Sequence, residues 1–141
     1  MVITAGIAGL IAGIIMIFAS HMAPRLGAGA FVKEVDVIKC FGRTCSRRES
    51  HIIGMLVHGS LYIAAGLVYG ALAEQGVVSG FGAIPLLFYA ALLTVFMGGV
   101  IIPLEGHGMF GWREDHWFAV DLIIMNLVWV ILFGMIMQLI V

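Results

Sequence analysis

Val2 to Ser20 reads VITAGIAGLIAGIIMIFAS, a run without one charged residue. A helix needs about 20 mostly apolar residues to cross the hydrocarbon of a bilayer, and this run supplies them. Three more stretches match it. Residues 51–73 hold two histidines but no formal charge, residues 83–104 carry Pro85 and Pro103 near their ends, and residues 117–140 are interrupted only by Asp121, Asn126 and Gln138. The whole chain has 141 residues, 62% of them hydrophobic and 11% charged, with a mean hydropathy of +1.14. A soluble domain of this length needs far more surface charge. The sequence therefore predicts an all-α protein: a transmembrane four-helix bundle in a single domain, residues 1–141, with spans at about 2–21, 51–73, 83–104 and 117–140. The rival reading of the first run is a cleaved signal peptide, with Ala28 and Ala30 as an A-x-A site. The run has no basic n-region and is long for an h-region, which favours a true span.

Charge placement sets the expected orientation. Arg25, Lys33, Lys39, Arg43, Arg47 and Arg48 lie around the first loop and Arg113 in the third. The positive-inside rule puts those two loops in the cytoplasm. Both termini and the short second loop, Glu74 to Gly82, then face outward, in a multi-pass protein of the cell membrane. Cys40 and Cys45 would sit in a reducing compartment, where a disulfide is not expected. No basic stripe suits a nucleic-acid backbone, so nucleic acid is excluded as a partner.

The first loop is the only long one. Phe31, Val35, Ile38 and Phe41 recur at helical spacing among Lys33, Asp36 and Lys39. This predicts a short interfacial helix ending near Gly42. Ser46 and Glu49 form an S-x-x-E capping box that opens the second span. Glu114 and Asp115 are placed at the start of the fourth helix, where negative charge suits the helix dipole. Gly9 with Gly13, and Gly66 with Gly70, are G-x-x-x-G pairs that allow close helix approach.

The polar residues gather on one side. Alternating spans bring His21, His51, Glu105, His107, Asp115 and His116 to the cytoplasmic face. His58 lies two turns below His51 on nearly the same face, roughly 10 Å deeper, and Tyr62 and Tyr69 continue that stripe. Asp121 lies at a similar depth on the fourth helix, and Asn126 deeper. Polar groups in a bilayer are costly and usually face the bundle interior. His58 and Asp121 are thus expected to pair, with His51 as a further cofactor-binding residue. His51, His58, Glu105, His107, His116 and Asp121 are expected to line one cavity. Histidine with carboxylate suits a divalent metal and equally a proton path, and His51 or His58 can also serve as an axial haem ligand. Trp112 and Trp117 read as interfacial belt aromatics. Cys40 and Cys45, as C-x4-C, read as ordinary thiols.

Sharper signatures are absent: no Walker loop, G-x-S-x-G or H-E-x-x-H is present, and no complete catalytic set is visible. Three stretches carry a resemblance: GIAGLIAG at Gly6 to Gly13, H-G-x-L-Y-x-A-x-G-x-x-Y-G from His58 to Gly70, and PLEGHG from Pro103 to Gly108. With them the chain resembles a prokaryotic, largely archaeal family of small four-helix integral membrane proteins for which no activity is established. The resemblance implies the fold and no function. It departs from that pattern in the fourth helix, where Asp121 and Asn126 stand in place of an expected histidine. The leading expectation is a membrane subunit or binding protein, not an enzyme on its own. Its cytoplasmic-side cluster binds a metal, haem or quinone, or relays protons. The alternatives are a homo-oligomeric transporter or channel and a purely structural subunit of a larger membrane complex.

Overall fold

The computed structural model describes residues 1–22, 39–40, 43–44, 46–114 and 116–141. Its elements run α1 (Val2–Met22), β1 (Lys39–Cys40), β2 (Arg43–Thr44), α2 (Arg47–Glu74), α3 (Ala83–Phe96), a π-helical turn (Met97–Ile101), α4 (Ile102–Leu104), a 3-10 turn (Met109–Gly111) and α5 (Phe118–Ile140). Four helical stretches, Val2–Ala19, Ile52–Glu74, Ala83–Leu104 and Phe118–Ile140, are long and apolar enough to cross a membrane. The fold is the expected all-α bundle of four membrane-spanning helices.

Two loop expectations change. Lys39 pairs with Thr44 and Cys40 with Arg43 in a two-residue antiparallel ladder, so the chain is not helical at the place where the interfacial helix was expected to end. Cysteine and threonine are poor helix formers, and cross-strand bonding satisfies the backbone locally. The rest of that expected helix falls outside the described residues. The fourth helix begins at Phe118, not at Glu114, and the acidic residue in its first turn is Asp121. The capping box does form: Ser46 accepts from the Glu49 amide, and Glu49 accepts from the Ser46 amide.

Helix α1 packs against α2 and α5, and α5 packs against α3. The α1–α2 seam is made by small residues. A Cβ on Gly9 would lie 2.5 Å from the Tyr62 carbonyl oxygen, and Gly66 approaches the backbone of Ala5 and Gly6 equally closely. Backbone-to-backbone contact is the main source of helix affinity in lipid, where the hydrophobic effect between helices is lost.

Large aromatics fill the half of the bundle remote from the α4–α5 loop. Tyr69, Trp129, Phe133 and Met137 are fully buried. The Trp129 and Phe133 rings stack at 5.2 Å, and Tyr69 meets Phe133 at 5.5 Å and Tyr89 at 4.9 Å. Their polar tips are satisfied. Tyr69 donates to the Gly80 carbonyl, Tyr89 to Ala65 and Trp129 to Gly9. The Tyr89 bond and the Tyr69–Tyr89 ring contact tie α3 to α2.

Candidate functional site

The α3–α5 connection carries buried polar side chains, Glu105 and His107. Proline at 103 directs its ring at the carbonyl four residues back, that of Gly99. The helix accommodates this by widening into the π turn Met97–Ile101. The chain then leaves the helix at Glu105. Gly106 (φ 100°) and Gly108 (φ 78°) adopt left-handed conformations that non-glycine residues disfavour, and these fold His107 inward. Phe110 also takes a positive φ of 50°. Its ring lies over Gly98, where any side chain would collide with it. The strained residue is thus held by its fit onto the π turn.

Glu105 and His107 are both buried, at 5% and 4% exposure. His107 Nδ1 donates to the Glu114 carboxylate at 2.7 Å, and its ring stacks with Phe118 at 5.9 Å. Glu114 is itself a third exposed, so it links the buried imidazole to the exterior. The bond leaves His107 Nε2 as the other ring nitrogen, buried without a hydrogen-bond partner among the described residues. Both oxygens of Glu105 are in the same condition. His58, on α2, donates from Nδ1 to the Gly54 carbonyl at 2.9 Å. The same nitrogen lies 4.0 Å from Glu105 Oε1, and His58 and His107 are within electrostatic reach of one another. Burial pushes the Glu105 carboxyl up from 4.5 to about 7, because the charged form loses its hydration.

Of the six residues expected in one cavity, His58 and Glu105 approach to 4.0 Å, and His107 is within electrostatic reach of His58. His116 is exposed. The side chain of His51 falls outside the described residues. Asp121 is half-buried, and among the described residues its carboxylate makes no hydrogen bond or ion pair. The expected His58–Asp121 pair is replaced by His58 and Glu105. Helices α2 and α5 meet through bulky rings, Tyr62 against Trp129 at 6.0 Å and Tyr69 against Phe133, rather than through His58 and Asp121. Among the described residues, no three His, Cys, Asp or Glu side chains form a group that could hold a metal ion.

Two participants were missed by sequence reasoning. Glu114 reads as a helix-dipole residue until the loop geometry brings it to His107, seven positions back. Asn126 donates to Thr94 Oγ1 at 3.1 Å and to the Leu122 carbonyl at 3.0 Å, a link between α5 and α3. No local sequence signal marks either pairing.

Comparison with protein-family models, curated proteins and solved structures finds no match. Function is argued from the site alone, since a four-helix bundle by itself hosts many activities.

Proposed function

We propose that this chain is a small membrane subunit that takes up a proton at Glu105, with Glu114 and His107 as the route from water. The observation that carries the reading is the buried Glu105 carboxyl, without a hydrogen-bond partner among the described residues and poised near neutrality 4.0 Å from the His58 imidazole. An imidazole passes a proton by accepting at one nitrogen and releasing from the other. His107 has the connections for this: Nδ1 on partly exposed Glu114 and Nε2 inside. His58, on the next helix, is the deeper station. Beyond it stand Tyr62, Trp129 and Phe133, stacked in turn, with Tyr69 edge-on to Phe133, an aromatic layer.

That layer favours a proton site reached from one face over a transmembrane channel within a single protomer. The consumer of the proton then lies on another subunit or on a second copy of the chain. The site faces the cytoplasm in this reading, because the basic residues cluster in the first and third loops. Among the described residues no three-ligand group forms, and the reading is proton transfer rather than metal binding.

An infrared titration of the purified protein tests the assignment. A protonated-carboxyl stretch with a midpoint near neutral pH is expected, and it should vanish in Glu105→Gln. A spectrum in which no such band depends on Glu105 would refute the reading. Glu114→Gln should keep the band but slow proton exchange at it.

A further inference from the structure

His58 Nδ1 lies between two oxygens, 2.9 Å from the Gly54 carbonyl and 4.0 Å from Glu105 Oε1. A carbonyl can only accept, so the Gly54 bond places a proton on Nδ1. The two acceptors differ in need. Gly54 stands four residues before His58 within α2, so its carbonyl already takes the His58 amide in the helical ladder. The ring bond is a second, expendable one. Both Glu105 oxygens, by contrast, are buried without a partner among the described residues.

Ionisation of Glu105 changes which acceptor wins. A hydrogen bond to a charged group is roughly twice as strong as one between neutral groups. With the acid protonated, Nδ1–H has its best acceptor in Gly54. With the acid ionised, the carboxylate attracts the same donor more strongly. Closing 4.0 Å to the about 2.8 Å of a charge-assisted bond needs an approach of little more than about 1 Å. The His58 side chain is 20% exposed, so its ring is not enclosed on every side.

We propose that His58 is the donor that follows the charge on Glu105: its Nδ1–H rests on the Gly54 carbonyl while the acid is protonated and moves to the carboxylate when the acid releases its proton. The Nδ1 proton stays on nitrogen throughout, and the proton released by Glu105 leaves by the route given above. The inference rests on the proton-site reading and adds what the proton controls. The Tyr89–Ala65 bond and the Tyr69–Tyr89 contact tie α2 to α3 further along the bundle. A His58–Glu105 bond adds a tie between α2 and the α3–α5 connection that exists only after proton release. One bond from a neutral ring leaves the buried charge itself unneutralised, so Glu105 still titrates near neutral pH.

The other titratable groups around the pair are few. The loop brings His107, within electrostatic reach of His58, with Glu114 bonded to it. Helix α5 brings Asp121, half-buried, and α2 brings Tyr62 one turn beyond His58. The π turn, the 3-10 turn and Val2–Ala19 of α1 carry none.

The test titrates the purified full chain, labelled with 15N-histidine, in micelles across neutral pH. The His58 Nδ1–H resonance, identified by its loss in His58→Phe, should move downfield with the midpoint of the Glu105 carboxyl band and stay in place in Glu105→Gln. A resonance that stays in place in the wild type, or moves as far in Glu105→Gln, would overturn the proposal. The infrared band gives a second measurement. His58→Phe keeps a ring but removes the donor to the ionised acid, so the band midpoint should rise by about one pH unit or more. Asparagine carries an N–H near the Nδ1 position and can bond the carbonyl four residues back, as Asn126 bonds Leu122. His58→Asn should therefore titrate close to wild type. A ring that only fills space predicts a midpoint unmoved in His58→Phe, or lowered as water reaches the acid. Either result refutes the donor role, as does a His58→Asn midpoint equal to that of His58→Phe. If His58→Phe does not fold, the resonance lost in His58→Asn identifies His58, and the comparison with Glu105→Gln decides. A near-neutral band that depends on Glu105 but ignores both variants at position 58 removes the donor switch and spares the proton site. A spectrum without a Glu105-dependent band removes both.

Discussion

The Glu105→Gln substitution makes the sharpest stability prediction. Burial moves this carboxyl from 4.5 to about 7. A raised acid pKa means the folded protein holds the proton more tightly than the unfolded chain. The native state is therefore favoured most below pH 4.5, and that advantage is lost as pH rises through 7. At about 1.4 kcal/mol per pH unit, the span between the two values amounts to at most about 3 kcal/mol. Glutamine keeps the shape and cannot ionise. Thermal midpoints of wild type and variant should be close at pH 4.5 and diverge up to pH 8. The wild type should then lie up to roughly 6–12 °C lower, at about 2–4 °C per kcal/mol for a chain near this size. The titratable group beside Glu105 is His58 on α2, and both proteins carry it. The difference between the two curves therefore isolates position 105. A difference that stays flat from pH 4.5 to pH 8 would refute the claim that a buried, uncompensated carboxyl sits there.

Further expectations follow from the packing. Gly9→Leu forces a side chain against the Tyr62 carbonyl and should abolish the folded monodisperse form in size-exclusion chromatography. Gly59→Ala, whose Cβ meets open space, should elute as wild type. Asn126→Leu removes the α5–α3 hydrogen bond and should cost about 0.6 kcal/mol, the average for such bonds in membranes, measured by denaturation in micelles. In a chain with Cys40 and Cys45 changed to serine, Ser79→Cys should label from outside intact cells and Gly42→Cys should not, and the reverse pattern would invert the assigned orientation.

The four spans were legible because crossing a bilayer is a demand on composition and length, which a sequence states directly. The α1–α2 seam was legible for a related reason: Gly9, Gly13, Gly66 and Gly70 lack the side chains that would keep the backbones apart. Depth was legible only coarsely: it placed His58 level with Asp121 and left Glu105 nearer the cytoplasmic face, whereas the structure brings Glu105 to within 4.0 Å of His58. Rotation about each helix axis was not legible. Asp121 was the better candidate by depth, and only packing shows that large rings occupy the α2–α5 contact. The Glu114–His107 bond depends on successive left-handed glycines in a loop, whose combined effect on direction has no periodic signature.

The π turn explains why the Glu105 pairing in particular resists prediction. In an α-helix each residue turns the chain by about 100°. A π turn closes i to i+5 instead of i to i+4, so one extra residue is taken up before Glu105. The side chain consequently leaves the helix roughly 100° away from the direction that uninterrupted α-helical spacing from Tyr89 and Thr94 would assign. Gly98 and Gly99 tolerate the widened turn, Pro103 favours it, and Phe110 locks onto its glycine face. The device that aims the acid at His58 is thus the same one that hides it from a reading by periodicity. It follows that Gly98→Ala, which expels the Phe110 ring, should disturb Glu105 without touching it. The carboxyl band should shift towards the ordinary glutamate range as water reaches the acid. A band midpoint unchanged from wild type in a folded Gly98→Ala protein would show that Phe110 and the π turn do not hold the site.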